Sequence, residues 1–263
     1  MLRHVVGWIA PVVALIGLFV AQVIALQLGA LIGIALVLLV GLAVGVAAEI
    51  HARLHPAFVA VEDRAAFTLW ILPALIAHTV GLGIVAWQPD DLILASGLPL
   101  FGAAVVGLAI FAQDRELERS GDEDEAGGWA KQLLTLLIYL TAFGAFTVIY
   151  QTKERSLISA TSIAIVAGLL SLVLLRSTAA PRRRTMLYAL LTALTAGEVT
   201  WALNYWVVRE LVGGAVLLLL FYVVVGLNEM ILRGDLTRRL LAEYVGVGIV
   251  GFLLILSTGP WRP

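Results

Sequence analysis

The chain has 263 residues; 61% are hydrophobic and only 13% are charged, roughly half the charged share of a soluble domain. Its formal net charge is -1 and it has no cysteine, which excludes disulfides, thiolate metal sites and a cysteine nucleophile. Water-soluble packing does not account for its many apolar runs of roughly 20 residues, the length a helix needs to cross a bilayer.

Nine spans are predicted, at about 5–26, 29–49, 67–88, 91–113, 132–150, 156–175, 185–205, 211–232 and 239–257. Backbone polar groups in hydrocarbon must pair within their own segment, so the spans are helices; the alternation of barrel strands is absent. The expected fold is all-α, a polytopic transmembrane bundle forming one integral membrane domain over residues 1–263. The start, Met1 to His4 before an apolar run from Val5, has the look of a signal peptide. The run is too long for one and reads as an uncleaved first helix.

Spans one and two form a tight hairpin. Gly29, Gly33, Gly41 and Gly45 are pairs spaced by four, a spacing that lets helices approach closely. The following loop carries Glu49, His51, Arg53, His55, Glu62, Asp63 and Arg64. His51 and His55 share a helical face, and with Glu49 or Asp63 they have the residue types of a metal site. Pro56 follows at once and no third ligand has a fixed spacing, so a solvated loop is the expectation. Span three holds Pro73 and the His78–Thr79 pair, and span four holds Pro99; both prolines are expected to bend their helices. A short acidic turn, Gln88 to Asp91, joins them. The stretch 114–131 starts with a helix extension and continues through a charged, glycine-rich run expected to be mobile. Its acids do not match a calcium loop. Pro181-Arg182-Arg183-Arg184 is the strongest basic cluster and a topology signal. Spans 3–4, 5–6 and 7–8 form a faint hairpin repeat around Thr79, Thr147 and Thr200.

Lys and Arg give the orientation. With the amino terminus inside, Arg3, Arg53, Arg64, Arg115, Arg119, Lys131, Arg176, Arg182, Arg183, Arg184, Arg233, Arg238 and Arg239 are inner. Lys153, Arg155, Arg209 and Arg262 are outer. The excess follows the positive-inside rule, so N-in and C-out are expected. The seven tryptophans lie at or near span ends, where indoles prefer the interface.

Ionisable groups deep in spans are costly and mark candidate sites. Two qualify, His78 and Glu198, and with Thr79, Thr200 and Asn204 they form the candidate intramembrane polar site. If their helices are neighbours, His78 and Glu198 form a proton-responsive couple. The plainer reading makes His78 a tie to a neighbouring carbonyl, and bonds Glu198 to Thr195, Thr200, Asn204 or Arg209. Glu49, Glu229 and Glu243 are read as ion pairs with Arg53, Arg233 and Arg239. No span contains Lys, which leaves a retinal Schiff base no attachment point. No Gly-x-Ser-x-Gly, His-Glu-x-x-His or Walker motif occurs, and one intramembrane His does not supply bis-His haem ligation. No catalytic residue, cofactor or metal is predicted.

The stretch Glu198-Val-Thr-Trp-Ala-Leu-Asn-Tyr-Trp206, with Gly213-Gly214, Phe221-Tyr222, Leu236 to Arg239 and Glu243-Tyr244, resembles uncharacterised multispan membrane proteins of green non-sulfur-type bacteria. The resemblance covers the C-terminal third and implies a bacterial inner membrane, but no activity or substrate. The expected partners are the lipid bilayer and other membrane subunits, not nucleic acid. Two functions are in view: a structural or assembly subunit of a membrane complex, and a proton-coupled small-solute transporter built around Glu198 and His78.

Overall fold

A computed structural model describes residues 2–56, 58, 68–88, 92–119, 128–152, 156–178, 180–206 and 209–258. Among them are nine helices: α1 (Leu2–Leu28), α2 (Ala30–Arg53), α3 (Ile71–Trp87), α4 (Leu92–Arg119), α5 (Trp129–Gln151), α6 (Ser156–Leu175), α7 (Arg182–Leu203), α8 (Glu210–Arg233) and α9 (Arg238–Thr258). No strand occurs among the described residues. Eight helices are long and apolar enough to cross a membrane, and α3 is a shorter apolar helix of 17 residues. The acidic run at 120–127, the charged loop at Glu62 to Arg64, the turn at 89–91 and the basic residues Lys153 and Arg155 lie outside the described residues.

Helix α3 starts later than its apolar run because Thr68–Trp70 form a turn, with Ile71 N–H donating to Thr68 O at 3.2 Å. Pro73 thus falls in the first turn, where no intrahelical acceptor is available for its missing N–H. It does not bend the helix interior, contrary to the expectation; Pro99 does lie inside α4. Helix α4 continues past its apolar part through Asp114 to Arg119, as the charged extension implied.

The chain divides into two compact units, Met1–Thr141 and Ala142–Pro263. In the first unit, α1 packs on α2, α3 and α4, while α3 packs on α2 and α4. The tight α1–α2 turn needs Gly29, whose φ of 99° is unfavourable for residues with a Cβ. Helix α2 then lays one stripe along α3. Cβ atoms added at Gly41 and Gly45 would meet His78 and Ala74, and Val37 abuts Gly81; one added at Gly33 would first meet Ala25 of α1, at 2.5 Å, and then Val85 of α3, at 3.3 Å. The glycines of α2 are therefore packing positions, Gly41 and Gly45 for α3 and Gly33 chiefly for α1, with Gly29 serving the turn instead.

In the second unit, α7 packs on α6 and α8, and α8 packs on α9. Small residues interlock between α6 and α7, with Gly197 against Ala164 and Gly168 against Ala193. Phe146 meets Phe221 edge-on at 5.9 Å, and Tyr150 Oη donates to Leu203 O at 2.9 Å. Tyr222 stacks on Tyr244 at 5.6 Å, joining α8 to α9. Beyond its charged first turns, the exposed surface of α9 is apolar and includes Val245, Ile249 and Leu253, as a lipid-facing helix requires.

Candidate functional site

The five residues singled out from sequence divide between the units: His78 and Thr79 in the first, and Glu198, Thr200 and Asn204 in the second. His78 lies half-buried on α3. Its Nε2 donates to Leu38 O of α2 at 3.0 Å; a carbonyl only accepts, so the proton sits on Nε2. The ring occupies the notch at Gly41, where a Cβ would overlap the imidazole. Its geometry is that of a helix tie. Thr79 is half-buried beside it.

On α7 the hydroxyls and amides are consumed locally or by neighbours. Buried Thr200 donates to Ala196 O at 2.6 Å, and Thr195 to Leu191 O at 2.9 Å. Asn204 donates to Ser159 Oγ of α6 at 2.9 Å. Asn228 of α8 donates to Thr192 Oγ1 at 3.0 Å and to Tyr188 O at 3.2 Å. Glu198 bonds to none of these. It is exposed on the face that also carries Leu187, Leu191, Leu194, Trp201 and Tyr205, and it has no hydrogen bond or ion pair among the described residues. The expected ion pairs are present at helix ends: Arg53 Nε to Glu49 at 2.8 Å, Arg239 Nε to Glu243 at 3.0 Å, and Arg233 with Glu229.

A second group of polar side chains meets elsewhere, in the first unit. His51 and His55, expected in a solvated loop, are buried, with relative exposures of 5% and 4%. Helix α2 runs on to Arg53, which carries His51 into the bundle end. Phe58, Leu69, Leu117 and Ala52 then close an apolar cap there. His51 Nε2 reaches Asp114 of α4, at 2.8 Å to Oδ2 and 3.1 Å to Oδ1. His55 Nε2 lies 3.8 Å from Glu118 Oε1, and Glu118 also takes Arg115 Nη1 at 3.0 Å. Two histidines four apart thus face two carboxylates four apart. The imidazole of His51 crosses beside α1 at Gly7, where an added Cβ would stand 3.0 Å from Cε1. The described residues contain no group of three or more ligands able to hold a metal ion.

Beside this cluster is a partly open cavity of about 600 Å³ between α1 and α4, within the size range of small-molecule sites. His51, Asp114, Arg115 and Glu118 line its polar end; Pro11, Ala103, Gly107 and Phe111 are among its apolar walls. Arg115 lies 5.2 Å over the Phe111 ring. The signal for this site was in the sequence as two i, i+4 pairs, but nothing there said that they face each other.

Fold and polar ties together define a polytopic α-helical membrane protein whose polar side chains hold helices to one another. A family model described as a protein of unknown function, DUF5656, matches residues 7–258, and the chain belongs to that family. The family match therefore spans almost the whole chain rather than only the C-terminal third. No curated protein and no solved structure matches it.

Proposed function

We propose that this integral membrane protein is a structural or assembly subunit of a membrane complex, and that the exposed face of α7 receives a neighbouring transmembrane helix. The observation that carries the reading is Glu198. It lies sixteen residues beyond Arg182, roughly 24 Å along a helix that needs about 30 Å to cross the hydrocarbon. Helical side chains tilt towards the amino-terminal end of their helix, which on α7 turns the carboxylate towards mid-span rather than the nearer interface. An intramembrane carboxylate facing lipid is costly. A donor on a neighbouring helix offsets that cost and gives the contact its register.

The alternative, a proton-coupled transporter around Glu198 and His78, has less support. His78, Asn204 and Asn228 bond to other helices and Thr200 to its own, which leaves few polar groups for a hydrophilic path. The reading of a bacterial inner membrane rests on the resemblance of the C-terminal stretch.

The test is photocrosslinking in native membranes from Leu194 and Trp201, with Val250 of α9 as a lipid-facing control. A discrete higher-mass adduct from α7 that disappears in Glu198→Leu, while that variant folds at least as stably, is the expected outcome. Equal, diffuse labelling from α7 and α9, unchanged by Glu198→Leu, would overturn the reading.

A further inference from the structure

We propose that the neighbour on the exposed face of α7 is a second copy of this chain, so that two α7 helices pack in parallel about a twofold axis beside Glu198; this rests on the reading that the face receives a transmembrane helix. Leu187, Leu191, Leu194, Glu198, Trp201 and Tyr205 are all exposed. They follow one another at alternating steps of four and three residues, which lines them up on one side of the helix. The stripe runs for five turns, about 27 Å, close to the full thickness of the hydrocarbon. Thr185, Thr192, Ala196 and Thr200 lie buried on the opposite side. Between Leu187 and Trp201 the stripe is apolar except at Glu198, which has no hydrogen bond or ion pair among the described residues.

Symmetry and the chemistry of a carboxyl group select a second copy. Copies inserted in one membrane share orientation and depth. A twofold axis along the bilayer normal therefore sets each residue of α7 opposite itself at the same height. A group beside that axis must satisfy its own kind. A lysine or arginine there only donates and repels its copy. A carboxyl group that holds its proton donates through O–H and accepts through C=O. Two Glu198 side chains thus complete one another with no further polar group. The other residues also suit self-contact. Leu187, Leu191 and Leu194 meet leucine, and the edge-on Trp201–Tyr205 pair, with ring centroids 6.4 Å apart, meets its own copy at the carboxyl end of the helix. One polar residue in an otherwise apolar seam fixes register and the number of strands. Steps of three and four favour a shallow left-handed crossing of about 20°. With the crossing beside Glu198, the amino-terminal ends of the two helices diverge. Arg182, Arg183 and Arg184 of each copy then turn outward to the headgroups.

Because the chain has no cysteine, single-cysteine variants report on one position each. Leu187→Cys, Leu194→Cys and Trp201→Cys, oxidised in native membranes, should give a disulfide-linked species of twice the chain mass, at least fivefold above Val250→Cys on α9. A disulfide forms only where the Cα atoms come within about 7 Å, which in a parallel pair holds along the seam. In the Leu194→Cys background, Glu198→Gln should preserve the yield, since an amide both donates and accepts. Glu198→Leu should cut it at least threefold, with the thermal stability of the monomer in micelles unchanged or raised. Two differently tagged copies, co-expressed without added cysteines, should co-purify in mild detergent and cease to do so when both carry Glu198→Leu. Yields no higher than at Val250→Cys, or yields and co-purification unaffected by Glu198→Leu, would overturn the proposal. If the photocrosslink from Leu194 still gives a discrete, Glu198-dependent adduct whose mass is not that of two chains, the neighbour is another protein and only the second copy is excluded. If that adduct is missing too, the reading of α7 as a helix-receiving face falls with it.

Discussion

His78 and Gly41 act as one unit. The imidazole reaches the Leu38 carbonyl only because residue 41 has no side chain. Adding a methyl group at Gly41 should overpack the notch and destabilise the protein by about 1–3 kcal/mol. Removing the ring in His78→Ala makes room for that methyl group. The double variant should therefore be less destabilised than the sum of the single ones, measured by reversible unfolding in mixed micelles. Strict additivity would show that the ring and the glycine do not share the notch. His51 at Gly7 repeats the device at the end of the bundle, where a missing side chain lets an imidazole pass α1 and reach α4.

At the level of helices, α7 is held by different means on its two sides. Small residues set its distance from α6, and Asn204 bonds Ser159 there. On the α8 side, Asn228 bridges to Thr192 and to the Tyr188 carbonyl. Polar ties between membrane helices are worth about 0.6 kcal/mol on average and up to about 1.7. Asn228→Ala should lower stability within that range. Thr192→Ala in the same background should add little, because the shared hydrogen bond is already gone; a thermodynamic cycle in micelles reads the coupling. Both asparagines were visible in the sequence as polar letters in apolar runs. Their partners, Ser159 and Thr192, are ordinary residues that only helix adjacency singles out. The helix-end ion pairs are exposed i, i+4 contacts and contribute little to stability; their spacing made them legible beforehand.

For the molecule as a whole, nine crossings, with the shorter α3 counted beside the eight helices long enough to span, would put the two termini on opposite sides. The Lys and Arg distribution predicts the amino terminus in the cytoplasm and the carboxyl terminus outside. Paired reporters, one active only in the cytoplasm and one only outside it, fused at each end, should give opposite signals. Both ends on one side would mean that a helix fails to cross, and the short α3 would be the first to suspect. Most of this architecture was readable from the chain: predicted span limits and observed helix limits agree within four residues, apart from the end of α4, which runs six residues on through its charged extension.

Sequence alone determined the number and type of the elements, because in hydrocarbon each backbone must satisfy its own hydrogen bonds and apolar length reports a crossing directly. It also marked His78 and Glu198, since an ionisable letter inside an apolar run needs no partner to be seen. Only the tertiary structure decided which polar groups meet. Helix adjacency turned His78 into a tie and left Glu198 on an outer face. It also joined His51, held by its own helix, to Asp114, sixty-three residues further along the chain. Such a contact depends on which helices lie side by side and on the glycine that leaves room between them, and span length and charge say nothing of either.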